Sequence, residues 1–195
     1  MRLILASGSK QRQAIFDMIG LKYDVITSDE EEISNAKDPS DYVKDLSLIK
    51  ANSVAKRVKE NAIIISADTI IYMNGKIYEK PKTKEEAFLN IKEMSGKLTY
   101  AYTGVTIKDL YKNKEVTFSD VCKVYLKKVN DDDIKWYVEN EKTILERGIY
   151  TIPGKASLFL DRVEGDFYTL VGISPGKIYD ELKKMGYKIT DFELE

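Results

Sequence analysis

Ala62-Ile63-Ile64-Ile65, followed at once by Ser66-Ala67-Asp68-Thr69, is the stretch on which the fold class turns. A continuous apolar run rich in β-branched residues is the pattern of a strand covered on both faces, as in α/β sheets with helices on each side. The run ends by delivering Asp68, and the carboxyl ends of strands in open α/β sheets are where ligand sites gather. A lone aspartate there also serves as an ordinary turn or cap residue, so both readings of Asp68 stay open.

Upstream, Arg2–Ala6 reads as a short apolar first strand, too short for a signal peptide or a membrane span. Ser9 can cap a helix with Ala14, Ile15, Met18 and Ile19 on one face and Gly20 as terminator. Lys22–Thr27 resumes extended character, and Asp29-Glu30-Glu31-Glu32 forms an acidic loop. Asp38-Pro39 then opens a long helix ending near Glu60, with Val43, Leu46, Val54 and Val58 at near-helical spacing. Downstream, Ile70–Tyr72, Asn74-Gly75 and Lys76–Tyr78 read as a hairpin, and Thr83-Lys84-Glu85-Glu86 as a capping box for a helix that stops around Ser95-Gly96. Leu98 to Leu126 suits two long strands with a turn at Tyr111–Lys114, and Asn130 to Glu141 a helix. Strands are expected near Ile149–Ile152, Ser157–Val163 and Thr169–Val171, and a last helix over Ser174–Met185 with Pro175 in its first turn.

Composition removes several function classes. The 195 residues contain no histidine, which excludes Ser-His-Asp triads, Cys-His pairs and His-ligated zinc, so chemistry must run on carboxylates, lysines and hydroxyls. The single Cys122 cannot form an internal disulfide, which suits a reducing compartment, with the cytoplasm as the expected location. Lys+Arg 31 against Asp+Glu 32 leaves a net charge of -1, which removes the broad electrostatic argument for duplex nucleic acid. Prolines and glycines are scattered, without repeats or a flexible linker, and favour a single unit.

Leu5-Ala6-Ser7-Gly8-Ser9-Lys10-Gln11-Arg12 puts small hydroxyl residues and backbone amides at a helix start with cations one turn in, which suits either a phosphate cradle or an ordinary capped helix. It is not a Walker loop, because no Gly-Lys-Ser/Thr ending is present. Glu31 and Glu32 suit a solvated acidic run, and Lys50 and Lys80 ordinary surface positions.

Taken together, Leu-Ala-Ser-x-Ser, the Glu32 region, Ile49-Lys50-Ala51, Ala67-Asp68-Thr69 and Glu79-Lys80-Pro81 occur in the order and spacing of one family. Ser95-Gly96 with Thr103, Gly148-Ile149-Tyr150, and Glu164-Gly165-Asp166-Phe167-Tyr168 leading to Val171-Gly172 extend the match. The chain resembles the Maf-like nucleoside triphosphate pyrophosphatases over essentially its whole length. The resemblance implies an α/β fold over residues 1–195, an elongated mixed β-sheet with surrounding helices in two interlocked lobes with a cleft, related to inosine triphosphate pyrophosphatase. It implies hydrolysis of a nucleoside triphosphate to the monophosphate and pyrophosphate with a divalent cation, usually magnesium, with manganese or cobalt as alternatives. Ala-Asp-Thr at 67–69 matches the branch acting on dTTP and UTP. A homodimer is the implied state, and with the cytoplasmic location and the missing membrane span expected from the sequence itself, no membrane partner is expected.

By the same resemblance Ser7, Ser9 and Arg12 surround the phosphates, Lys50 and Lys80 add cations, and Glu32 and Asp68 hold the metal and the attacking water. A magnesium triphosphate needs such cations and amides for its charge and carboxylates for the hard ion and the water. The departures are specific. Lys10-Gln11-Arg12 stands where the family has Pro-Arg-Arg, Leu145-Glu146-Arg147-Gly148 where it has Asp-Lys-Ala-Gly, and Pro153 where it has a glutamine. An ammonium at Lys10 cannot copy a guanidinium's bidentate grip, and Pro153 supplies no side-chain hydrogen bond. The alternative is therefore a nucleotide-binding regulatory protein with weakened or lost catalysis.

Overall fold

The computed structural model describes residues 1–193. In chain order it contains β1 (Leu3–Leu5), α1 (Lys10–Met18), β2 (Asp24–Val25), α2 (Pro39–Arg57), β3 (Ile63–Met73), β4 (Lys76–Tyr78), α3 (Lys84–Met94), β5 (Leu98–Asp109), β6 (Lys114–Leu126), α4 (Asp131–Asn140), α5 (Ile144–Arg147), β7 (Leu160–Glu164), α6 (Phe167–Val171) and α7 (Pro175–Lys184). The strands form one mixed seven-stranded sheet in the order β2-β1-β3-β5-β6-β7, with β4 paired to β3. β1 runs parallel to β2 and β3, whereas β4 on β3 and β7 on β6 are antiparallel. No helix among the described residues is long and apolar enough to cross a membrane. The chain divides into two compact units: Met1–Thr69, Thr103–Asp120 and the chain from Gly172 onward form one, and Ile70–Tyr102 with Val121–Val171 the other.

In the first unit the apolar run is buried as its pattern demands, with Ala62, Ile63, Ile64 and Ile65 inaccessible and Leu3, Ile4 and Leu5 in register beside them. The strand does not stop at Ile65. β3 continues through Asp68 to Met73, so Asp68 sits within a strand rather than at its end. The extended segment expected over Lys22–Thr27 contracts to the two residues of β2. On α1 the buried residues are Arg12, Ile15 and Phe16, while Met18 and Ile19 are exposed. The helix turns its arginine inward, a choice that hydrophobic spacing alone does not reveal. Ser9 occupies the N-cap position with extended backbone, but its side chain makes no cap bond. Asp38 does cap α2, accepting from the amides of Ser40 and Asp41, with Pro39 in the first turn.

In the second unit Asn74 and Gly75 both take positive φ, 52° and 81°, as a tight two-residue hairpin requires. Thr83 caps α3 through the Glu86 amide, while the Glu86 carboxylate turns to the Lys82 amide. Ile149–Ile152 is not a strand. Its backbone bonds the side chain of Tyr137 instead of a ladder: Ile149 O accepts from the Tyr137 hydroxyl at 3.0 Å, and the Thr151 amide donates to that hydroxyl at 3.2 Å. Ser157–Phe159 lies in a 3-10 helix, so only Leu160–Glu164 is extended there. Thr169–Val171 belongs to α6, because the Asp166 carboxylate takes the Tyr168 amide and its carbonyl the Thr169 amide. An aspartate cap here overrides β-branched propensity.

The inaccessible Tyr137 anchors a polar chain under this core. The Thr151 hydroxyl donates to Glu141 Oε2 at 3.0 Å, and the Thr143 hydroxyl and amide donate to Oε1 at 2.7 and 3.2 Å. Burial alone would raise the Glu141 carboxyl, but these hydrogen bonds, with Lys155, hold it below its ordinary value. A depressed carboxylate stabilises the fold above the ordinary glutamate value of about 4.3, and that contribution is lost as pH falls through the folded-state value. Thr151→Val is therefore expected to destabilise the protein by about 1–3 kcal/mol at pH 7 and by less at pH 3. Urea midpoints of the two proteins at both pH values check this.

Candidate active site

The first unit gathers six of the seven expected site residues around the start of α1, the middle of α2 and the centre of β3. β1 ends at a buried Ser7, whose hydroxyl accepts from the Ser9 amide at 3.2 Å and from Arg12 Nη1 at 3.1 Å. Arg12 is only 8% exposed. Its Nε donates to Gly172 O at 2.9 Å and its Nη2 to Thr69 Oγ1 at 3.0 Å, and Thr69 meets Thr103 at 2.8 Å. Gly172 has φ +129°, and a Cβ there would stand 3.3 Å from Arg12 Nε. Arg12 thus joins the β1 loop, β3 and the 172 segment through three directed bonds. Burial lowers its pKa from the ordinary value, while Asp68 and Glu32 pull it back up. Arg12→Lys, which replaces a rigid fork by a single ammonium, is expected to lower stability by about 2 kcal/mol in chemical denaturation.

Lys50 projects from α2, and the seat of α2 explains where it points. Ser47 is inaccessible, its hydroxyl bonded to Lys44 O at 2.9 Å and to Thr106 Oγ1 at 2.9 Å, while Ser66 of β3 donates to Ser47 O at 2.6 Å. Gly104 of β5 leaves room for the α2 backbone, since a Cβ there would fall 2.2 Å from Val43 O. Small residues and hydroxyls therefore hold α2 against the sheet alongside the buried Val43, Leu46 and Val54. From this seat Lys50 Nζ reaches Asp68 Oδ1 at 2.5 Å and Glu32 Oε2 at 3.0 Å. The Lys50 and Asp68 side chains are 12% and 15% exposed, and that of Glu32 39%.

The acidic run is not simply solvated. Asp29 bonds Ser53 at 2.7 Å, Glu30 pairs with Lys56 at 2.7 Å and Glu32 with Lys50, so three acids track one face of α2 at helical spacing. Glu31 is exposed. Ser9 starts α1 beside Ser7, and Lys80 is an exposed residue of the second unit after β4. Thr69, Thr103, Gly104, Ser47 and Gly172 are the supporting residues that sequence reasoning did not assign to the site. A glycine inside a strand was the available signal for Gly104, because it marks a close backbone approach.

Glu32 and Asp68 are a pair of hard oxygen donors bridged by one ammonium. Among the described residues no cluster of three or more His, Cys, Asp or Glu side chains is placed to hold a metal ion. Such a pair does not make an all-protein cage, but it fits magnesium, which commonly takes one or two carboxylates and completes its shell with water and substrate phosphates.

A family profile described as Maf-like protein matches residues 2–185. The chain belongs to the Maf-like family. It is 40% identical over 184 residues, covering 94% of this chain and 96% of the relative, to a protein of Thermoanaerobacter pseudethanolicus named dTTP/UTP pyrophosphatase. A protein of the same name from Fusobacterium nucleatum is 35% identical over 188 residues, covering 96% and 97%. Among solved structures, the Staphylococcus aureus Ham1 protein aligns with a TM-score of 0.45 at 13% identity, over 65% of this chain and 72% of that one. Within the Maf-like family this chain carries Gln11 beside the inward-facing Arg12, Glu146 in α5 and Pro153 after the Tyr137-bound segment.

Proposed function

We propose that this chain hydrolyses dTTP and UTP to the monophosphate and pyrophosphate. The observation that carries the reading is Lys50 held between Asp68 and Glu32, in the unit that also presents the Ser7–Arg12 helix start. Relatives named dTTP/UTP pyrophosphatase support the substrate class, and Ala67-Asp68-Thr69 supports the choice of pyrimidines.

In this reading Asp68 orients a water and takes its proton as the water oxygen bonds to the α phosphorus. The bond between the α phosphorus and the α–β bridging oxygen breaks, and that oxygen leaves with pyrophosphate. Lys50 and the amides and hydroxyls of Ser7–Ser9 balance the charge gathering on the leaving group. Glu32 and Asp68 would hold a divalent cation, magnesium by their chemistry, which supplies charge neutralisation to the phosphates when bound. Arg12 keeps Ser7 and Thr69 in place.

A panel of canonical and modified nucleoside triphosphates with magnesium, manganese or cobalt tests this directly. Pyrophosphate and monophosphate from dTTP and UTP are expected, at rates above those for purine triphosphates. Turnover of a purine triphosphate at least tenfold faster than either pyrimidine would overturn the substrate choice, and binding without hydrolysis would make the chain a nucleotide-binding regulator.

A further inference from the structure

The two carboxylates able to hold a divalent cation are already bridged by a cation of the chain's own. Lys50 Nζ stands 2.5 Å from Asp68 Oδ1 and 3.0 Å from Glu32 Oε2. It is not a loose surface contact, because the Lys50 side chain is only 12% exposed and rises from a helix pinned by the inaccessible Ser47 and by the close approach of Val43 to Gly104. The Glu32 side is held as well, since Asp29 and Glu30 are tied to Ser53 and Lys56 on the same helix.

We propose that Lys50 is the resident counter-ion of the Glu32–Asp68 pair, which excludes a free divalent cation until phosphate oxygens draw the ammonium away. The inference rests on the reading of that pair as metal-holding. Two cations cannot both sit against the same pair of carboxylates without strong mutual repulsion in a half-buried site. A triphosphate resolves the conflict by giving the ammonium new anionic partners while adding oxygens to the metal's shell. Metal and nucleotide then favour each other's binding, and by linkage the coupling is equal in both directions. The chain would bind the metal–nucleotide complex and leave free metal alone.

The test is Mn²⁺ binding in the absence of nucleotide, read from the EPR signal of the free ion, for wild type, Lys50→Gln and Lys50→Met. Either variant is expected to bind Mn²⁺ at least about tenfold more tightly than wild type, because the competing charge is gone while both carboxylates remain. Adding Asp68→Asn to Lys50→Gln should remove the gain. Circular dichroism confirms the fold, and Lys50→Gln keeps a hydrogen-bonding group for Asp68 should Lys50→Met fail to fold. Folded variants with no gain in affinity would overturn the proposal. So would wild type that binds Mn²⁺ as tightly without a non-hydrolysable UTP analogue as with it, a measurement that needs no variant. Hydrolysis of dTTP by wild type is scored alongside: no gain in a chain that hydrolyses dTTP refutes the counter-ion alone, whereas the gain without hydrolysis upholds it and refutes the pyrophosphatase reading.

Discussion

Asp68→Asn is expected to lower turnover of dTTP by about 10²-fold or more while leaving the fold and most of the nucleotide affinity in place. The backbone of Asp68 is fixed by β3, with inaccessible residues from Ala62 to Ala67 on one side and Ile70 on the other, and an isosteric amide disturbs none of this packing. Asparagine retains an oxygen to accept from Lys50, and Lys50 retains Glu32, so the ammonium is not left unpaired. What disappears is the negative charge on which proton abstraction and cation binding both depend in the proposed mechanism. Nucleotide affinity should survive, since removing an anion beside a triphosphate also relieves repulsion. Steady-state rates and calorimetric affinities, with thermal melts as control, measure the split. A folded variant retaining more than a third of wild-type turnover would remove Asp68 from the chemistry and shift attention to Glu32.

The second large effect is expected away from the reacting groups. Gly104→Ala would place a Cβ 2.2 Å from Val43 O, 2.3 Å from Val43 C and 2.7 Å from Lys44 N, all backbone atoms of a helix that cannot swing aside like a side-chain tip. α2 must move outward, breaking the contacts of Ser47 with Thr106 and Ser66. A loss of about 3 kcal/mol or more is expected, a fall in melting temperature on the order of 6–12 °C for a chain of this length. Lys50 lies two turns along α2 from Val43, so the same movement carries its ammonium off Asp68. Displacements near 1 Å in a catalytic site can lower rates about 10²-fold, and kcat is expected to fall accordingly in whatever fraction remains folded. Gly176→Ala is the control, because a Cβ there meets nothing nearer than the Ser174 hydroxyl at 4.0 Å. A Gly104→Ala protein melting within two or three degrees of wild type would contradict the seating of α2.

How much of this was legible in the sequence depended on whether the signal was local. The buried Ala62–Ile65 run, the Asp38-Pro39 helix start, the Asn74-Gly75 turn and the Thr83 cap were all readable because a residue and its immediate neighbours dictate the conformation. The segments that suggest strands by composition yet fold otherwise are β-branched stretches whose backbone partners lie elsewhere: Ile149 and Thr151 bond a tyrosine on α4, and Thr169 answers to an aspartate cap. The extent of β3 was hidden for a related reason, since Asp68 is a poor strand residue taken alone, and sheet neighbours with the Arg12 bond to Thr69 keep the segment extended. For the site, ordered blocks pointed to Glu32, Lys50 and Asp68, which the fold brings together. The inward turn of Arg12 was not legible, because a charged residue one turn into a helix is ordinarily solvated, and its burial becomes favourable only when Thr69 and Gly172 from distant segments join Ser7 of the preceding loop around it.

The position of bond cleavage separates hydrolysis to pyrophosphate from every other phosphate chemistry. Wild-type protein turning over dTTP in water enriched in ¹⁸O, with the products separated and weighed by mass spectrometry, reports which phosphorus the water attacks. Attack at the α phosphorus is expected, which places one ¹⁸O in the thymidine monophosphate and none in the pyrophosphate. Label in pyrophosphate, or in inorganic phosphate released with a nucleoside diphosphate, would contradict it.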